Sequence, residues 1–317
     1  MNKEKPILYL VVPCYNEEPV IEDTSKKLQE KMETLIADKK IAENSRIMYV
    51  DDGSKDKTLE MITELHNNNP LFSVVKLSRN RGQQNAMIAG LTVANKYADA
   101  VITIDADLQD DINAIDKMVE EYINGAEIVY GVRSARKKDT IFKRMTAHAF
   151  YKLMLKLGVE IIYDHSEFRL MSKTALDAFL EYKESNLFVR GIIPQLGFKT
   201  AKVPYPRAKR QAGESKYPVS KLISHALNGI TSCSSKPLTM IFWLGFWMQF
   251  FSLAGLITTT VLMFTINLHF MWMLLSAMCW LTSIVLLALG IIGFYLGKTY
   301  IETKRRPRFI IEEVLNK

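Results

Sequence analysis

The sequence predicts an α/β fold in which a mostly parallel sheet carries helices on both faces. Three observations lead to this prediction. Short apolar runs alternate with longer amphipathic stretches through the first 132 residues, a polar cluster directly follows four of the apolar runs, and no internal repeat interrupts the pattern. Such alternation favours strands joined by helical crossovers, which make the strands parallel and cover both faces of the sheet.

Five strands and four helices account for this first part of the chain. Each strand pattern is a run of mainly apolar residues that ends at polar or turn-forming residues, whereas each helix pattern repeats its apolar residues every three or four positions. The predicted strands are 7–12, 47–50, 72–77, 100–104 and 127–132. The predicted helices are 18–37, 57–66, 83–97 and 112–124.

The pattern changes after residue 132. Residues 143–157 and 173–182 have the apolar spacing of helices, and the segment 164–171 lies between them. Residues 199–217 are basic and contain two prolines and a glycine, which favour turns over regular structure. We therefore expect a mobile basic loop over 199–217.

The acidic segment at the end of the fourth strand is the most informative part of the chain. Asp105 and Asp107 are two residues apart, and Gln109 follows after two more. Carboxylates this close repel each other unless a cation lies between them. A hard cation such as Mg²⁺ takes one or two carboxylates and leaves its other positions to water and phosphate oxygens. The segment predicts a site for a metal-bound diphosphate, and a solvated acidic loop is the alternative.

Three more polar clusters follow predicted strands, at residues 13–18, 51–54 and 79–82. In an open parallel α/β sheet, the ligand crevice lies outside the carboxyl ends of the strands. All four clusters are therefore expected along one edge of the sheet, where they would line a single crevice.

Taken in order, the four clusters resemble the family 2 glycosyltransferases of the GT-A fold. The segments that carry the resemblance are Val12-Pro13-Cys14-Tyr15-Asn16-Glu17, Asp51-Asp52-Gly53-Ser54, Arg79-Asn80-Arg81-Gly82 and Asp105-Ala106-Asp107-Leu108-Gln109-Asp110. The sequence is most similar to the polyprenyl-phosphate branch, which includes bacterial bactoprenol glucosyltransferases and dolichyl-phosphate mannose synthases. The resemblance spans about residues 7–235. It implies a Rossmann-like GT-A domain that transfers a sugar from a nucleotide diphosphate to a polyprenyl phosphate.

The resemblance assigns roles on the donor side of the site. It makes Asp107 the expected direct ligand of Mg²⁺ or Mn²⁺, assisted by Asp105 and Gln109 through coordination, water or ribose contacts. The expected nucleotide-sugar contacts are Pro13, Tyr15, Glu17, Asp52, Arg79, Gly82, Asp105, Asp107 and Gln109. For Asp51 and Asp52, an ordinary Asp-Gly turn is the alternative.

The acceptor side calls for positive charge. A lipid phosphate is already anionic at neutral pH, because its second pKa is about 6, and it needs little deprotonation. By the resemblance, the acceptor-phosphate residues are Arg133, Arg207, Arg210, Ser215 and Lys216. A solvated basic surface is the alternative for each of them.

Two residues are candidates for the carboxylate nearest the acceptor. Glu167 precedes an aromatic-Arg-Leu segment, where the family pattern usually has an aspartate. Its extra methylene changes the reach of the carboxylate by about 1.5 Å. Asp164 is the second candidate. Together with Asp107 and Arg133, these two carboxylates are the expected catalytic residues.

The chain has no Lys, Arg, Asp or Glu from residue 237 to residue 297. This length suffices for two membrane-spanning helices of about 20–25 residues each, with a turn at 267–269. A buried soluble hairpin is the alternative. Basic residues flank the run, and the turn has none, so the positive-inside rule places the catalytic domain and both termini in the cytoplasm of a multi-pass inner-membrane protein.

These features divide the chain into four parts. They are a cytoplasmic GT-A catalytic domain at 1–215, an amphipathic juxtamembrane helix at 216–236, a two-helix transmembrane hairpin at 237–297 and a basic cytoplasmic tail at 298–317. The apolar stripe of the juxtamembrane helix is typical of an interfacial helix, and packing against the catalytic domain is the alternative. The chain leads directly into its first strand, so no signal peptide is expected.

Charge and cysteines bear on the partners. The net charge of +7 is concentrated at 133–156 and 199–221, and basic clusters beside a membrane attract anionic lipid headgroups. Nucleic acid is not an expected partner, because no nucleic-acid-binding motif is present.

Cys14, Cys233 and Cys279 are far apart and predict neither a disulfide nor a zinc site. We expect Cys14 to be a small filler side chain.

The sequence therefore predicts a membrane-anchored inverting glycosyltransferase. The expected substrates are a UDP-sugar, above all UDP-glucose, and undecaprenyl phosphate, with UDP-GlcNAc or GDP-mannose as alternative donors. A polysaccharide-elongating transferase and a catalytically inactive nucleotide-sugar-binding scaffold are the rival functions. The resemblance also implies a homo-oligomer, for example a tetramer, and a downstream flippase and glycan-modifying transferase that use the lipid-phosphate sugar for cell-envelope glycans.

Overall fold

The structure is a computed structural model that describes residues 5–133, 165–184, 187, 189–206, 247 and 270–316. The strands of this part are β1 (Leu8–Cys14), β2 (Arg46–Asp51), β3 (Phe72–Leu77), β4 (Ala100–Thr103), β5 (Ile128–Arg133), β6 (His165–Ser172), β7 (Thr200–Tyr205) and β8 (Ile311–Leu315). The helices are α1 (Glu18–Ala37), α2 (Thr58–Asn68), α3 (Gln83–Ala94), α4 (Ala114–Ile123), α5 (Lys173–Leu180), α6 (Val189–Ile192) and α7 (Phe270–Thr303), with a 3₁₀ turn at Ile193–Leu196.

The described strands form one mixed sheet in the order β7-β5-β6-β4-β1-β2-β3-β8. The pairs β1–β2, β1–β4, β2–β3 and β5–β7 are parallel. The pairs β3–β8, β4–β6 and β5–β6 are antiparallel. The prediction of a mostly parallel sheet is thus confirmed for the contiguous strands β3-β2-β1-β4, whereas β6 and β8 make the whole sheet mixed.

Helices cover both faces of the sheet, as predicted. Alternate residues of β1 point to opposite faces because the side-chain period of a strand is two. Leu8 and Leu10 belong to the core that contains the buried residues of α1, α2 and α4, whereas Tyr9 and Val11 belong to the core that contains those of α3, α5 and α6. The carboxyl end of β1 is therefore fixed between two cores.

Helix α1 links the end of β1 to the acidic segment. It begins with a proline in its first turn, where a missing N–H costs no intrahelical hydrogen bond. Its buried face includes Ile21, Leu28 and Met32 at helical spacing. The Thr24 hydroxyl donates a hydrogen bond of 2.7 Å to the carbonyl oxygen of Ala106. This contact ties the loop after β4 to the helix after β1.

The structure corrects the prediction of a basic loop over 199–217 in part. Residues Thr200–Tyr205 form strand β7, which pairs in parallel with β5 and places Pro204 opposite Val132. Proline cannot donate a ladder hydrogen bond and is confined mainly to edge strands, and β7 ends the described sheet. The prolines there indicated a loop because the sequence alone does not show that the strand is at an edge.

The structure also adds a strand within the predicted tail at 298–317. Residues Ile311–Leu315 form β8, which joins the catalytic sheet beside β3. The described sheet therefore includes residues beyond 215, and the division of the chain into a catalytic domain and a tail stays a prediction. Strand β6 lies between β4 and β5, in a segment where the sequence pattern predicts neither a helix nor a strand.

The predicted helix at 143–157 and juxtamembrane helix at 216–236 lie outside the described residues. So does most of the first half of the predicted hairpin, whereas α7 begins directly after the predicted turn at 267–269. Within the described residues, no helix has both the length and the apolar character that a membrane span requires. The two-helix hairpin stays a prediction.

Candidate active site

The loops after β1 and β2 are joined by hydrogen bonds between backbone and side chains. The Asn16 amide donates to the Ser54 hydroxyl at 3.0 Å, and the Lys55 amide donates to the Asn16 side-chain oxygen at 2.8 Å. The Glu17 amide donates to the Thr58 hydroxyl at 2.9 Å. Asn16 has a φ of 54°, which places it in the left-handed region. The two loops therefore form one wall of the crevice.

Asp51 builds the turn that follows β2. Its carboxylate accepts hydrogen bonds from the Gly53 amide at 3.1 Å and from the Ser54 amide at 3.2 Å. Gly53 has a φ of 70°, and a Cβ there would lie 2.7 Å from the backbone nitrogen of Asn80 and 2.9 Å from the carbonyl carbon of Arg79. The turn thus depends on a residue without a Cβ, and Asp51 plays the turn-forming part that was the alternative to nucleotide binding.

Asp52 anchors the loop after β3. One of its carboxylate oxygens accepts a hydrogen bond of 2.6 Å from the Arg81 amide, and the other accepts one of 2.8 Å from the Gly82 amide. Burial raises the pKa of the Asp52 carboxyl, and these two amides act against that effect. Asp52 therefore positions the loop that holds the predicted donor residues Arg79 and Gly82. Its predicted contact with the nucleotide stays a prediction.

These loops enclose a cleft of about 590 Å³ at the carboxyl ends of β2 and β3. Of the predicted donor residues, Tyr15 and Arg79 line the cleft, whereas Pro13 is buried within β1. The other lining residues are Asp51, Gly53, Ser54, Lys55, Leu59, Lys76, Leu77, Ser78, Asn80 and Glu312. Tyr15 is 39% exposed, so its ring is available to a ligand as a stacking surface. We call this space the donor cleft.

Asp107 and Gln109 meet in the tight loop after β4. The Gln109 side-chain amide donates a hydrogen bond of 2.7 Å to Asp107 Oδ2, and its backbone amide lies 3.3 Å from Asp107 Oδ1. Leu108 between them has a φ of 44°, an unusual conformation for leucine. Strained backbone of this kind is concentrated at functional sites. The structure thus brings together two of the three predicted metal ligands.

Asp105 completes the acidic loop from the end of β4. Its carboxylate is half-buried and accepts a hydrogen bond of 2.7 Å from the Gln83 side chain. Burial, and to a smaller extent the neighbouring carboxylates of Asp110, Asp107 and Glu167, raise the pKa of Asp105 to about 7. The ionised form of Asp105 is therefore disfavoured in this loop, and a bound cation would reduce the repulsion between Asp105 and the neighbouring carboxylates.

The residues of the acidic loop fit a hard divalent cation. Asp105, Asp107 and Gln109 offer carboxylate and amide oxygens, the ligand type of Mg²⁺ and Mn²⁺. No group of three His, Cys, Asp or Glu side chains among the described residues forms a ready metal cage. Mg²⁺ in nucleotide sites is bound by one or two carboxylates together with substrate phosphates, so such a cage is not required.

A polar cluster behind the acidic loop contains one predicted and two unpredicted residues. Asp110 is buried, and its Oδ1 accepts a hydrogen bond of 2.5 Å from the Tyr205 hydroxyl. Arg133 Nη2 lies 3.4 Å from the same oxygen. Arg133, predicted for acceptor binding, is thereby held beside the acidic loop. Asp110 and Tyr205 were not predicted as site residues, and their separation along the chain explains why.

Glu167 is held by two guanidinium groups. Its Oε1 lies 2.7 Å from Arg190 Nε, and its other carboxylate oxygen pairs with Arg169, which is buried. The backbone oxygen of Glu167 accepts a hydrogen bond from Thr103 at the end of β4. The structure therefore places the predicted carboxylate near Asp105. Arg190 was missed, although a charged residue within the apolar run 187–193 was a usable signal.

Cys14 is buried at the end of β1, and its thiol lies 3.4 Å from the carbonyl oxygen of Val50. Burial raises the pKa of the thiol, and the nearby carboxylates raise it further. A thiol kept protonated is a poor nucleophile, which supports the interpretation of Cys14 as a filler side chain.

Five predicted site residues lie outside the described residues. They are Asp164, Arg207, Arg210, Ser215 and Lys216. The described part of the site thus contains the residues predicted for the donor side, together with Arg133 and Glu167, and the roles of described and undescribed residues alike stay predictions.

The chain is similar in sequence to a known family and to named relatives. The model of the family Glycosyl transferase family 2 matches residues 9–180. The uncharacterized glycosyltransferase YkoT of Bacillus subtilis (strain 168) is 46% identical over 98% of this chain and 93% of its own length. The prophage bactoprenol glucosyl transferase homolog of Escherichia coli (strain K12) is 38% identical over 96% of this chain and 98% of its own length.

Solved structures show a more distant likeness. Glucosyl-3-phosphoglycerate synthase from Mycobacterium tuberculosis, in complex with phosphoglyceric acid, has a TM-score of 0.47 and 17% identity, and covers 72% of this chain and 80% of its own. No residue role is carried over at that distance. The family match spans more than half of the chain, contains all four polar clusters, and is joined by relatives alike over nearly the whole length. The chain therefore belongs to glycosyl transferase family 2, and it is a glycosyltransferase whose described strands form a mixed sheet in an α/β fold.

Proposed function

We propose that this enzyme transfers glucose from UDP-glucose to undecaprenyl phosphate, with inversion at the anomeric carbon and with Mg²⁺ or Mn²⁺. The observation that carries the proposal is the acidic loop of Asp105 and Asp107. Asp105 accepts a hydrogen bond from Gln83, which directly follows the loop that brings Arg79 to the donor cleft. A cleft of this size suits a nucleotide. The acceptor is supported by relatives named bactoprenol glucosyl transferase, such as that of Shigella phage SfV, which is 38% identical over 96% of this chain.

The residues on the donor side divide the work of holding the nucleotide-sugar. Tyr15 offers a ring to the base, and the loop anchored by Asp52 brings Arg79 to the cleft. Asp107, with Asp105 and Gln109, would hold the cation. When bound, that cation supplies positive charge to the nucleoside diphosphate as it leaves. The protein itself must orient the two substrates and exclude water.

The acceptor needs orientation more than activation. A lipid phosphate is an anion at neutral pH and attacks the anomeric carbon without a strong base. Arg133, held by Asp110, offers positive charge beside the acidic loop. In this proposal Glu167, whose carboxylate is held by Arg190, orients the incoming phosphate. A single displacement of this kind inverts the anomeric carbon.

The membrane location is part of the proposal. It is supported by the uncharged run at 237–297 and by Lys298, Lys304, Arg305, Arg306 and Arg308, which follow that run. With two spans and both termini in the cytoplasm, the catalytic sheet would take UDP-glucose from the cytoplasm and the lipid phosphate from the inner leaflet. A homo-oligomer is proposed on the family resemblance alone.

The test is a donor panel with the full-length protein in detergent micelles. Radiolabelled UDP-glucose, UDP-GlcNAc and GDP-mannose are each incubated with undecaprenyl phosphate and Mn²⁺, and organic-phase radioactivity is counted. We expect lipid labelling from UDP-glucose at least about tenfold above the other two donors. Labelling from another donor alone would replace the sugar in the proposal, and binding of donors without any labelling would favour the inactive scaffold.

A further inference from the structure

The carboxyl-terminal strand β8 pairs antiparallel with residues 74–77 of β3, and further contacts hold both of its ends. Ser78, directly after β3, donates a backbone hydrogen bond of 3.1 Å to the carbonyl oxygen of Ile310. At the other end, the Ser73 hydroxyl donates one of 2.7 Å to the Asn316 side chain. Without β8, β3 would present an unpaired edge. The strand thus closes the side of the sheet that borders the donor cleft.

One side chain of β8 enters the wall of that cleft. Glu312 lines the donor cleft together with Lys76 of β3, and the Lys76 ammonium lies 2.6 Å from Glu312 Oε1. The register between the two strands shifts between Lys76 and Leu77, at the cleft. Such irregularities change the direction of side chains next to functional sites. The Lys76–Glu312 ion pair therefore lies at the irregularity in strand pairing, next to the donor cleft.

Stability does not explain this ion pair well. The Lys76 side chain is 30% exposed and that of Glu312 is 48% exposed. Ion pairs this exposed contribute little to the free energy of unfolding. Covering the edge of β3 requires only the backbone of β8. The position of the two charges at the cleft points instead to ligand binding, because a fixed ammonium group attracts the phosphates and hydroxyl groups of a nucleotide.

We propose that β8 is part of the donor-binding site, with Glu312 as a positioning residue that holds the Lys76 ammonium in the cleft wall for contact with the bound nucleotide. The inference rests on the proposed function for the identity of that nucleotide. It also links the donor cleft to α7, since only residues 304–310 connect that helix to β8.

The experiment compares two neighbouring glutamates of β8 in the full-length protein. Glu312→Gln removes the charge that pairs with Lys76. Glu313→Gln removes the same charge from the next residue, which lies opposite Lys76 in the strand register but does not line the donor cleft. The Kd for UDP with Mn²⁺ is measured by calorimetry, and the Tm is measured by scanning fluorimetry. We expect Glu312→Gln to raise the Kd about threefold to tenfold, and Glu313→Gln to leave it within about twofold, at unchanged Tm.

A double-mutant cycle tests whether Glu312 acts through Lys76. Lys76→Met should weaken UDP binding by at least as much as Glu312→Gln, and adding Glu312→Gln to it should have little further effect. Unchanged UDP binding in Glu312→Gln, or equal weakening in Glu313→Gln, would overturn the inference. GDP is measured in parallel. If the wild-type protein binds GDP and not UDP, the proposed donor fails, and the same variants test β8 with GDP.

Discussion

At the scale of single residues, the charge of Asp105 sets the balance of the acidic loop. Its ordinary pKa of 3.8 is raised to about 7, first by burial and then by neighbouring carboxylates. A raised pKa means that the folded protein favours the protonated carboxyl. The resulting stability is fully present below about pH 4 and is lost as the pH rises through 7. A bound divalent cation would offset that loss.

We therefore predict a pH-dependent stability that belongs to Asp105. In the presence of a chelator, the Tm of the wild-type protein should fall between pH 5 and pH 8 by several degrees more than the Tm of Asp105→Asn, because the variant has no carboxyl to ionise. Adding Mn²⁺ should raise the wild-type Tm more at pH 8 than at pH 5. Thermal unfolding at the two pH values measures both effects. Equal pH slopes for the two proteins would contradict the assignment.

The second prediction concerns Asp107. Asp107→Asn keeps the size of the side chain but removes a charge that the cation requires, so kcat/KM for lipid glucosylation with Mn²⁺ should fall roughly 10²-fold or more. The Tm should stay near the wild-type value. Asp111→Asn, four residues later, is the matched control and should retain activity. Near-normal turnover of Asp107→Asn would refute its role as a metal ligand.

At the scale of elements, the site is built from loops that hold one another in place. The turn after β2 touches the loop after β3, the loop after β4 is tied to α1, and the end of β7 reaches the acidic loop through Tyr205. Each contact joins segments that are distant in the sequence. A change at one of these contacts should therefore affect substrate binding as well as stability.

Gly53 tests the contact between the loops after β2 and β3. Gly53→Ala would place a Cβ 2.7 Å from the Asn80 backbone nitrogen, whereas Gly197→Ala, with a similar φ of 74°, would meet nothing within 4 Å. Both variants should lose about 1–3 kcal/mol of stability through left-handed backbone strain. Only Gly53→Ala should also weaken UDP binding, by about tenfold or more. Calorimetry of both variants checks this, and equal UDP affinities would contradict it.

Tyr205 tests the contact between β7 and the acidic loop. Tyr205→Phe leaves the buried carboxylate of Asp110 without its 2.5 Å hydrogen bond, which should cost about 1–3 kcal/mol of stability. Because Asp110 also holds Arg133, the KM for lipid phosphate should rise more than the KM for the donor. Tyr122→Phe is the control, since its hydroxyl lies 3.3 Å from the carbonyl oxygen of Asp99, away from the site. A KM effect in both variants, or on the donor alone, would argue against this role.

The residues of each strand explain which strands the sequence could predict. Strands β1 to β5 are apolar runs, so burial on both faces marks them directly. Strand β7 has a proline, and β8 has the consecutive acidic residues Glu312 and Glu313, so both lack that signal although the sheet edges tolerate them. The polar clusters located the crevice, but the pairs of Asp110 with Tyr205 and of Glu167 with Arg190 depend on the folded chain.

At the scale of the whole molecule, the catalytic sheet is closed by the far end of the chain. Strand β8 follows α7, which begins where the predicted hairpin turns, and its first residues lie beside the donor cleft. If the uncharged run is inserted in the membrane as proposed, the strand that directly follows the membrane anchor would contribute to the donor site. The part of the site that binds the water-soluble donor and the part that binds the lipid acceptor would then both be attached to the same membrane hairpin.

The proposed reaction is a single displacement by a lipid phosphate at the anomeric carbon of UDP-glucose. The most direct measurement is the proton NMR coupling of the anomeric hydrogen in the purified glucolipid, made by the full-length protein from UDP-glucose and undecaprenyl phosphate. Inversion of the α-linked donor predicts a β-linked glucosyl phosphate, with a large coupling between the axial hydrogens at C1 and C2. An α-linked product, or no glucolipid from UDP-glucose under conditions in which the enzyme binds both substrates, would contradict the account.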